Sequence, residues 1–338
     1  MIIVMPNKVT QEQLDHLQDL VEKVGLKTHI SKGTEKTIVG LIGDESKIAK
    51  EVLEGLDFVE KVMPIQKPYR RVSREIHPEN SIIEVKGVKF GGKEIVMIAG
   101  PCAVESEEQL FEIAGQLKKM GVRVLRASAY KPRTSPYAFQ GLGEEGLKII
   151  QKAGKKFGLV TETEVMDPRN VELVAKYVDM VRVGARNTQN FDLLKEVGKI
   201  NKPVILKNGM STTLEEWLFA AEYIMNEGNP NVILCERGIR TFETASRNTL
   251  NLSIIPILKN LTHLPVIVDP CHAAGKRGPI PALSKASIAV GADGLMIEVH
   301  NCPEKAVSDQ AQQLLPKDFE KLYKDLKRVA EAVDRKLV

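Results

Sequence analysis

No apolar run in this sequence is long enough to cross a bilayer. The longest, such as Ile95 to Ala99 and Val204 to Leu206, are strand-sized, against the roughly 20 residues of a spanning helix. A basic-then-apolar leader is also missing from the N-terminus, so a cytoplasmic protein with no membrane partner is expected. Charge of one sign is scarce: 48 basic residues against 44 acidic ones leave a net +4, which calls for no nucleic acid. Cysteine is sparse too. Cys102, Cys235, Cys271 and Cys302 fall at the ends of expected strands in a 338-residue chain, unlike the disulfide framework of a small secreted domain. A metal-binding or reactive role is the better first reading of them.

What remains is ordinary globular composition, 43% hydrophobic and 27% charged. The length suits one β/α barrel, which takes roughly 250 residues, plus one small domain. The first segment reads strand (Ile2 to Met5), helix (Thr10 to Val24), strand (Leu26 to Ile30), strand (Thr37 to Ile42), helix (Ser46 to Glu54) and strand (Phe58 to Val62). That order is the βαββαβ pattern of a ferredoxin-like domain. Leu14, Leu17, Leu20, Val21 and Val24 follow helical spacing, with Thr10 as N-cap and Gly25 just past the end. Residues 1–64 carry 8 basic and 11 acidic side chains, a net −3, without a cluster of reactive groups, so this unit is assigned to regulation or assembly.

Residues 65–80, with prolines and the basic Lys67, Arg70, Arg71 and Arg74, read as a solvated linker. From 81 to 338 a catalytic barrel is expected. Ser81 to Phe90 alternates around Lys86-Gly87 as a hairpin. Strands are then expected at Glu94 to Ala99, Arg123 to Arg126, Leu159 to Thr161, Met180 to Val183, Val204 to Leu206, Val232 to Leu234, Val266 to Val268 and Leu295 to Ile297. Helical patterns separate them. Near-continuous apolar strands in this alternation indicate a closed parallel (β/α)₈ TIM barrel, an α/β fold. The last helix, Phe319 to Leu337, aligns Phe319, Leu322, Tyr323, Leu326, Val329 and Val333 on one face.

In such a barrel the active site lies at the C-terminal strand ends. Beyond those ends stand Cys102; Arg126 and Lys131-Pro132-Arg133-Thr134-Ser135; Glu162; Arg186; Lys207; Glu236-Arg237; Asp269 to His272; and Glu298 to His300. Arg126, Lys131, Arg133, Arg186, Lys207 and Arg237 come from four strands. In a low-dielectric pocket they would repel one another unless anions neutralised them, and guanidinium groups match phosphate and carboxylate oxygens. A doubly anionic substrate or two phosphates is implied. For a single Arg or Lys, snorkelling or pairing with Glu162, Glu236 or Asp269 is the better reading; for six at equivalent positions it is poor.

Cys102, His272 and Glu298 follow strands one, seven and eight, neighbours in a closed barrel, and Asp309 in the next loop could complete four ligands. A thiolate, an imidazole and two carboxylates suit one divalent transition ion such as Mn, Fe or Zn. Each residue alone more often has a structural role; their adjacency favours the metal. Cys271 and Cys302 are expected on the same rim, Cys271 as a supporting or oxidisable thiol, and Cys235 in packing.

With these motifs together, from Ala99-Gly100-Pro101-Cys102 through Gly184-Ala185-Arg186-Asn187 and Lys207-Asn208-Gly209 to Glu298-Val299-His300, nearly the whole chain resembles the 3-deoxy-D-arabino-heptulosonate 7-phosphate (DAHP) synthase family, in the form with a ferredoxin-like N-terminal extension. The resemblance implies a transferase, 3-deoxy-7-phosphoheptulonate synthase, at the first step of the shikimate pathway of aromatic amino acid biosynthesis. It assigns Cys102, His272, Glu298 and Asp309 to the metal, and Arg126, Lys131, Arg186, Lys207 and Arg237 to phosphoenolpyruvate. It gives Arg133 and Thr134 to erythrose 4-phosphate. Lys131, Cys102 and His272 would serve catalysis, Lys131 as a proton donor or a charged anchor. It further implies a homo-oligomer, taken as a tetramer, and feedback by tyrosine or phenylalanine at the N-terminal unit, where Lys27, His29 and Ser31 share a strand face.

Relatives that make the octulosonate analogue from arabinose 5-phosphate carry Asn-Arg-Ser where this chain has Pro132-Arg133-Thr134, so the four-carbon aldose is favoured. A non-catalytic metabolite sensor is the alternative from another class, and the retained ligand and substrate motifs argue against it. Two departures stand out: Cys271 where Ser is expected, and Gln310 where Gly is expected after Asp309.

Overall fold

Alternating burial along the first strand organises the N-terminal unit. In a computed structural model, which describes residues 1–63 and 69–338, the chain divides into two compact units, Met1–Arg70 and Arg71–Val338. Strand β1 (Ile2–Pro6) buries Ile3 and Met5 and pairs antiparallel with β3 (Lys36–Ile42) and β4 (Lys61–Met63), while β2 (Lys27–Lys32) pairs with β3. Helix α1 (Gln11–Lys23) starts at a capping box between Thr10 and Gln13 and lays Leu14, Leu17 and Val21 on the sheet. The second helix begins later than its pattern predicts. A single 3₁₀ turn occupies Glu45–Lys47, and α2 covers only Lys50–Glu54 because Ala49 offers no side-chain cap.

The second unit is a closed barrel. Its parallel strands are β7 (Glu94–Gly100), β8 (Val124–Arg126), β9 (Val160–Val165), β10 (Met180–Val183), β11 (Val204–Lys207), β12 (Val232–Glu236), β13 (Val266–Val268) and β14 (Gly294–Glu298). Each pairs with the next, and β14 closes on β7 from Gly294 opposite Val96 to Glu298 opposite Gly100. Helices α3 (Glu107–Met120), α4 (Glu144–Phe157), α5 (Val171–Tyr177), α6 (Phe191–Lys199) and α7 (Leu214–Asn226) alternate with the strands. The series continues with α8 (Ile254–Leu261), the short α9 (Pro270–Ala274), α10 (Ile280–Ala289) and α11 (Pro316–Ala332).

The hairpin β5 (Ile83–Val85) and β6 (Val88–Phe90) turns at Lys86-Gly87, both at positive φ, as a two-residue turn of the primed type requires. Its Ile83, Val85, Val88 and Phe90 join Val96, Val124, Val160, Met180 and Cys235 in one interior cluster, plugging the barrel where its strands begin. Cys235 is therefore a packing residue.

Two expectations need correction here. The final helix stops at Ala332 rather than Leu337, because Arg335 spends its guanidinium on the carbonyls of Gly92, Glu94 and Ala292 and on Asp293. Lys336–Leu337 then forms β15 beside Glu94 and Ile95 of β7. The expected linker also divides. Residues 65–68 lie outside the described residues, but Val72 and Ser73 are buried, and Glu222 accepts from the backbone of Arg71 and Val72. Arg74 bonds Lys259 O at 2.6 Å and Pro78 O at 2.7 Å, so this stretch is fixed to the barrel rather than solvated. No helix among the described residues is long and apolar enough to cross a membrane.

Candidate active site

Strand β7 delivers Cys102 through a glycine that no other residue could replace without movement: a Cβ on Gly100 would lie 2.0 Å from Arg126 O. Cys102 and Glu298, the last residue of β14, are fully buried, and Asp309 reaches them from the following loop. One ligand atom from each lies within 4.8 Å of the others. The Cys102 thiol donates to Asp309 Oδ2 at 3.1 Å, and Lys131 Nζ stands 2.9 Å from Sγ. Burial, then the Glu298 carboxylate, pushes this thiol up to about 12.

His272 enters from α9. Asp269 caps that helix, accepting from His272 N at 3.0 Å, and its Oδ2 lies 2.7 Å from His272 Nδ1 and in close contact with Lys207 Nζ. Burial would raise Asp269, but His272 and Lys207 hold it well below the usual carboxylate range. The carboxylate is thus ionised, and Nδ1 is the nitrogen that donates. Burial also holds His272 below its ordinary value, leaving Nε2 with a lone pair. That lone pair faces Glu298 Oε1 at 3.6 Å and Asp309 Oδ2 at 3.8 Å.

Several electron-rich atoms therefore converge with one thiol proton among them. Glu298 Oε1, Arg126 Nε and Arg126 Nη1 are buried without a hydrogen-bond partner, although Nη1 is 3.1 Å from Glu298 Oε1. Despite burial, His272 and Arg126 keep Glu298 below its usual value, and it stays charged. This donor set fits a divalent cation, which would relieve the clustered lone pairs and lower the thiol. His272 with Asp269 behind it has the carboxylate–imidazole arrangement of a metal ligand.

Beside the cluster lies a cavity of about 280 Å³. Lys131, Arg133, Thr134, Arg186, Lys207 and Arg237 all line it, as do His272 and Asp309. Arg126 does not. It is fully buried beneath, with its Nη1 toward Glu298 and Nη2 3.5 Å from Cys102 O. Arg237 bonds the carbonyls of Gly238 and His272, and burial pulls its guanidinium down, outweighing the charges of Asp269 and Glu236 nearby.

Two cavity-lining cations escape the reading of strand ends. Arg182 sits inside β10, fully buried, 2.7 Å from Glu162 and 2.9 Å from Ser128 Oγ. Its signal was a charge inside an apolar strand run. Arg247 comes from the loop before α8 and reaches Asp309 Oδ1 at 3.2 Å; no local pattern marks it. Glu236 turns out to brace the loops, accepting from Gly238 N, Asn251 N and Asn208 Nδ2.

Neither Cys271 nor Cys302 lines this cavity. Cys271 lies buried below Glu298, whose N–H points to its Sγ at 3.3 Å, and burial holds its thiol well above the ordinary value. Cys302 lies near Glu304. His300 is occupied structurally, between Glu105 and the N–H of Cys302. The Gln310 departure costs no backbone strain, since the positive φ belongs to Asp309, and Gln310 uses its amide to hold Ala306 O at 2.8 Å.

Known proteins resemble this chain along both of its units. Residues 75–335 match the model of the DAHP synthetase I family, and residues 1–67 match the DAHP synthase ferredoxin-like domain. Phospho-2-dehydro-3-deoxyheptonate aldolase of Thermotoga maritima is 49% identical over 337 residues, covering 100% of both chains. A crystal structure of that aldolase (DAHP synthase) from Thermotoga maritima superposes with a TM-score of 0.96 at 48% identity, covering 100% of this chain and 99% of that one. The 2-dehydro-3-deoxyphosphooctonate aldolase of Geobacter sulfurreducens is 32% identical over 268 residues, 73% of this chain and 97% of its own. Matched along both of its units, the chain belongs to the DAHP synthetase I family, a family of metalloenzymes, and carries that family's ferredoxin-like domain at its N-terminus.

Proposed function

We propose that this protein condenses phosphoenolpyruvate with D-erythrose 4-phosphate and water, giving 3-deoxy-D-arabino-heptulosonate 7-phosphate and phosphate, and that it does so with one divalent ion. The observation that carries this reading is the cation-lined cavity running up to the Cys102, Glu298 and Asp309 cluster. The full-length likeness to the Thermotoga aldolase supports it. The octulosonate aldolases match only about three quarters of the chain.

In the reaction, C3 of phosphoenolpyruvate bonds to the aldehyde carbon, water adds to C2, and phosphate leaves from C2. Lys131, Arg186, Lys207 and Arg237 hold the enol phosphate and carboxylate and oppose their charge with fixed dipoles and cations. Arg126, buried under the cluster, acts on that charge through Glu298 and Cys102 rather than from the cavity wall. Arg133 and Thr134 grip the phosphate of the aldose. Lys131 stands between the thiol and the cavity, where it both anchors an anion and is placed to deliver a proton. Cys102, His272, Glu298 and Asp309 would hold Mn, Fe or Zn, which would supply Lewis acidity for polarising the aldehyde oxygen. The protein's own part is to orient His272 through Asp269, to keep it neutral by burial, and to keep both carboxylates charged.

The N-terminal unit is read as the feedback element, taking tyrosine or phenylalanine. Lys27, His29 and Ser31 are exposed on one face of β2, with Thr28 and Ile30 turned inward. A homo-oligomer, a tetramer, belongs to the same reading. Metal dependence is tested with chelator-treated protein: phosphate release from the two substrates should disappear and return with a divalent ion, and Cys102→Ala should behave like the chelated enzyme. Full activity in metal-free protein would sink the metal assignment.

A further inference from the structure

The loop that supplies Asp309 also reaches the other proposed ligands. Gln312 and Gln313 follow Asp309 by three and four residues, and both side chains are buried. Gln312 Nε2 donates to Glu298 Oε2 at 2.6 Å, while its Oε1 accepts from Arg247 Nη1 at 3.1 Å. The same Nη1 donates to Asp309 Oδ1 at 3.2 Å. Gln313 Oε1 accepts from Cys102 N at 2.9 Å, and its Nε2 donates to Ser308 O at 2.8 Å.

The loop itself is held rigidly. Leu314 N donates to Glu298 O, and His300 N donates to Leu314 O, so the chain returns to the strand end beside the proposed ligand. Arg277 fastens the outer side through Gln313 O and Gln310 O, each at 2.7 Å.

We propose that Gln312 is a positioning residue for the metal site: it fixes the plane of Glu298 and, through Arg247, the aim of Asp309, while Gln313 fixes the backbone at Cys102. Only an amide meets the demand at position 312. It must donate to a carboxylate on one side and accept from a guanidinium on the other, without adding charge. A reversed amide would set oxygen against carboxylate and NH₂ against guanidinium. Glutamate would place a second carboxylate against Glu298, and an apolar side chain would leave Glu298 Oε2 unmatched in the interior. Glu298 Oε1 makes no hydrogen bond and meets Arg126 Nη1 only as an ion pair at 3.1 Å, so the Gln312 amide supplies the directional restraint on this carboxylate's rotation. One short loop thereby sets three of the four proposed ligands.

This inference rests on the metal reading, and its test separates the two. Full-length protein is stripped and titrated with Co²⁺, following the visible spectrum, the thiolate charge-transfer band and the dissociation constant. Gln312→Met keeps length and volume but makes neither hydrogen bond. It should bind Co²⁺ about 10–100-fold more weakly, the usual scale for an outer partner of a ligand, and with an altered visible spectrum. A role in packing alone would change only the unfolding of the metal-free protein. Arg247→Met, whose side chain is 39% exposed and therefore safe for folding, should weaken Co²⁺ in the same direction through Asp309. Binding within twofold of wild type and an unchanged spectrum in either variant would overturn the proposal. Absence of any charge-transfer band in the wild type would instead overturn the metal reading, and this inference with it.

Discussion

Asp269→Asn separates the two jobs that the structure gives one carboxylate. Asp269 is fully buried between Lys207 Nζ and His272, and it is charged in this environment. Asparagine keeps the shape and can still accept from the cap N–H of His272, but it cannot neutralise Lys207, whose side chain is itself only 3% exposed. Breaking a buried pair from one side costs about 3–5 kcal/mol, because the remaining charge is left in the interior. The assay is urea unfolding of metal-free protein followed by Trp217. This is the only tryptophan, fully buried in α7, and its Nε1 bonds Leu206 O one residue before Lys207. Adding Lys207→Met to Asp269→Asn should recover at least about 2 kcal/mol, since the stranded charge is then removed. The ligands should respond with opposite signs. Divalent-ion binding should weaken about 10–100-fold as His272 loses its orienting carboxylate, whereas inorganic phosphate should bind more tightly next to an unneutralised Lys207. A single variant within about 1 kcal/mol of wild type, with no recovery in the double variant, would refute the reasoning.

Two further outcomes are expected. Arg182→Met strands Glu162, which is fully buried, so the barrel should lose about 3–5 kcal/mol on the same Trp217 assay while metal stoichiometry is retained; a loss under about 1 kcal/mol would mean that the pair contributes little. Deleting Met1 to about Pro64 should leave phosphate release intact and abolish inhibition by tyrosine or phenylalanine. A truncated form of 3-deoxy-D-arabino-heptulosonate 7-phosphate synthase from Thermotoga maritima has been solved, and it matches 79% of this chain with a TM-score of 0.75. Unchanged inhibition after truncation would move the effector site into the barrel.

Much of this was legible in the sequence because barrel strands are buried on both sides. Val266 to Val268 reads as an uninterrupted apolar run and Met180 to Val183 as one broken only by Arg182, and both form strands with those limits. The residues just past them face the open end, so Lys131, Arg186, Lys207 and Arg237 could be placed on the cavity wall from position alone. Boundaries set by long-range bonds were not legible. Nothing near Ala332 predicts that Arg335 will cap distant carbonyls and end the last helix, and nothing near Arg74 predicts its bond to Lys259 O. The same limit applies within the site. Asp269 was visible as a strand-end acid three residues before His272, but its hold on Lys207 depends on the end of β11 meeting it at the barrel mouth. Arg126 could be grouped with the other cations, yet only closure of β14 on β7 explains why it lies beneath Glu298 and off the wall. Gln312 is the extreme case, an ordinary amide in a loop whose meaning comes entirely from the two charged groups on either side of it.

The central claim is that this cavity joins a three-carbon enol phosphate to a four-carbon aldose phosphate. It is tested most directly by offering the divalent-loaded enzyme phosphoenolpyruvate with erythrose 4-phosphate and, in parallel, with arabinose 5-phosphate, and by identifying the sugar acid formed. The account predicts rapid phosphate release and a seven-carbon product with erythrose 4-phosphate, and little turnover with arabinose 5-phosphate. A preference for arabinose 5-phosphate, or binding of both substrates without any product, would contradict it.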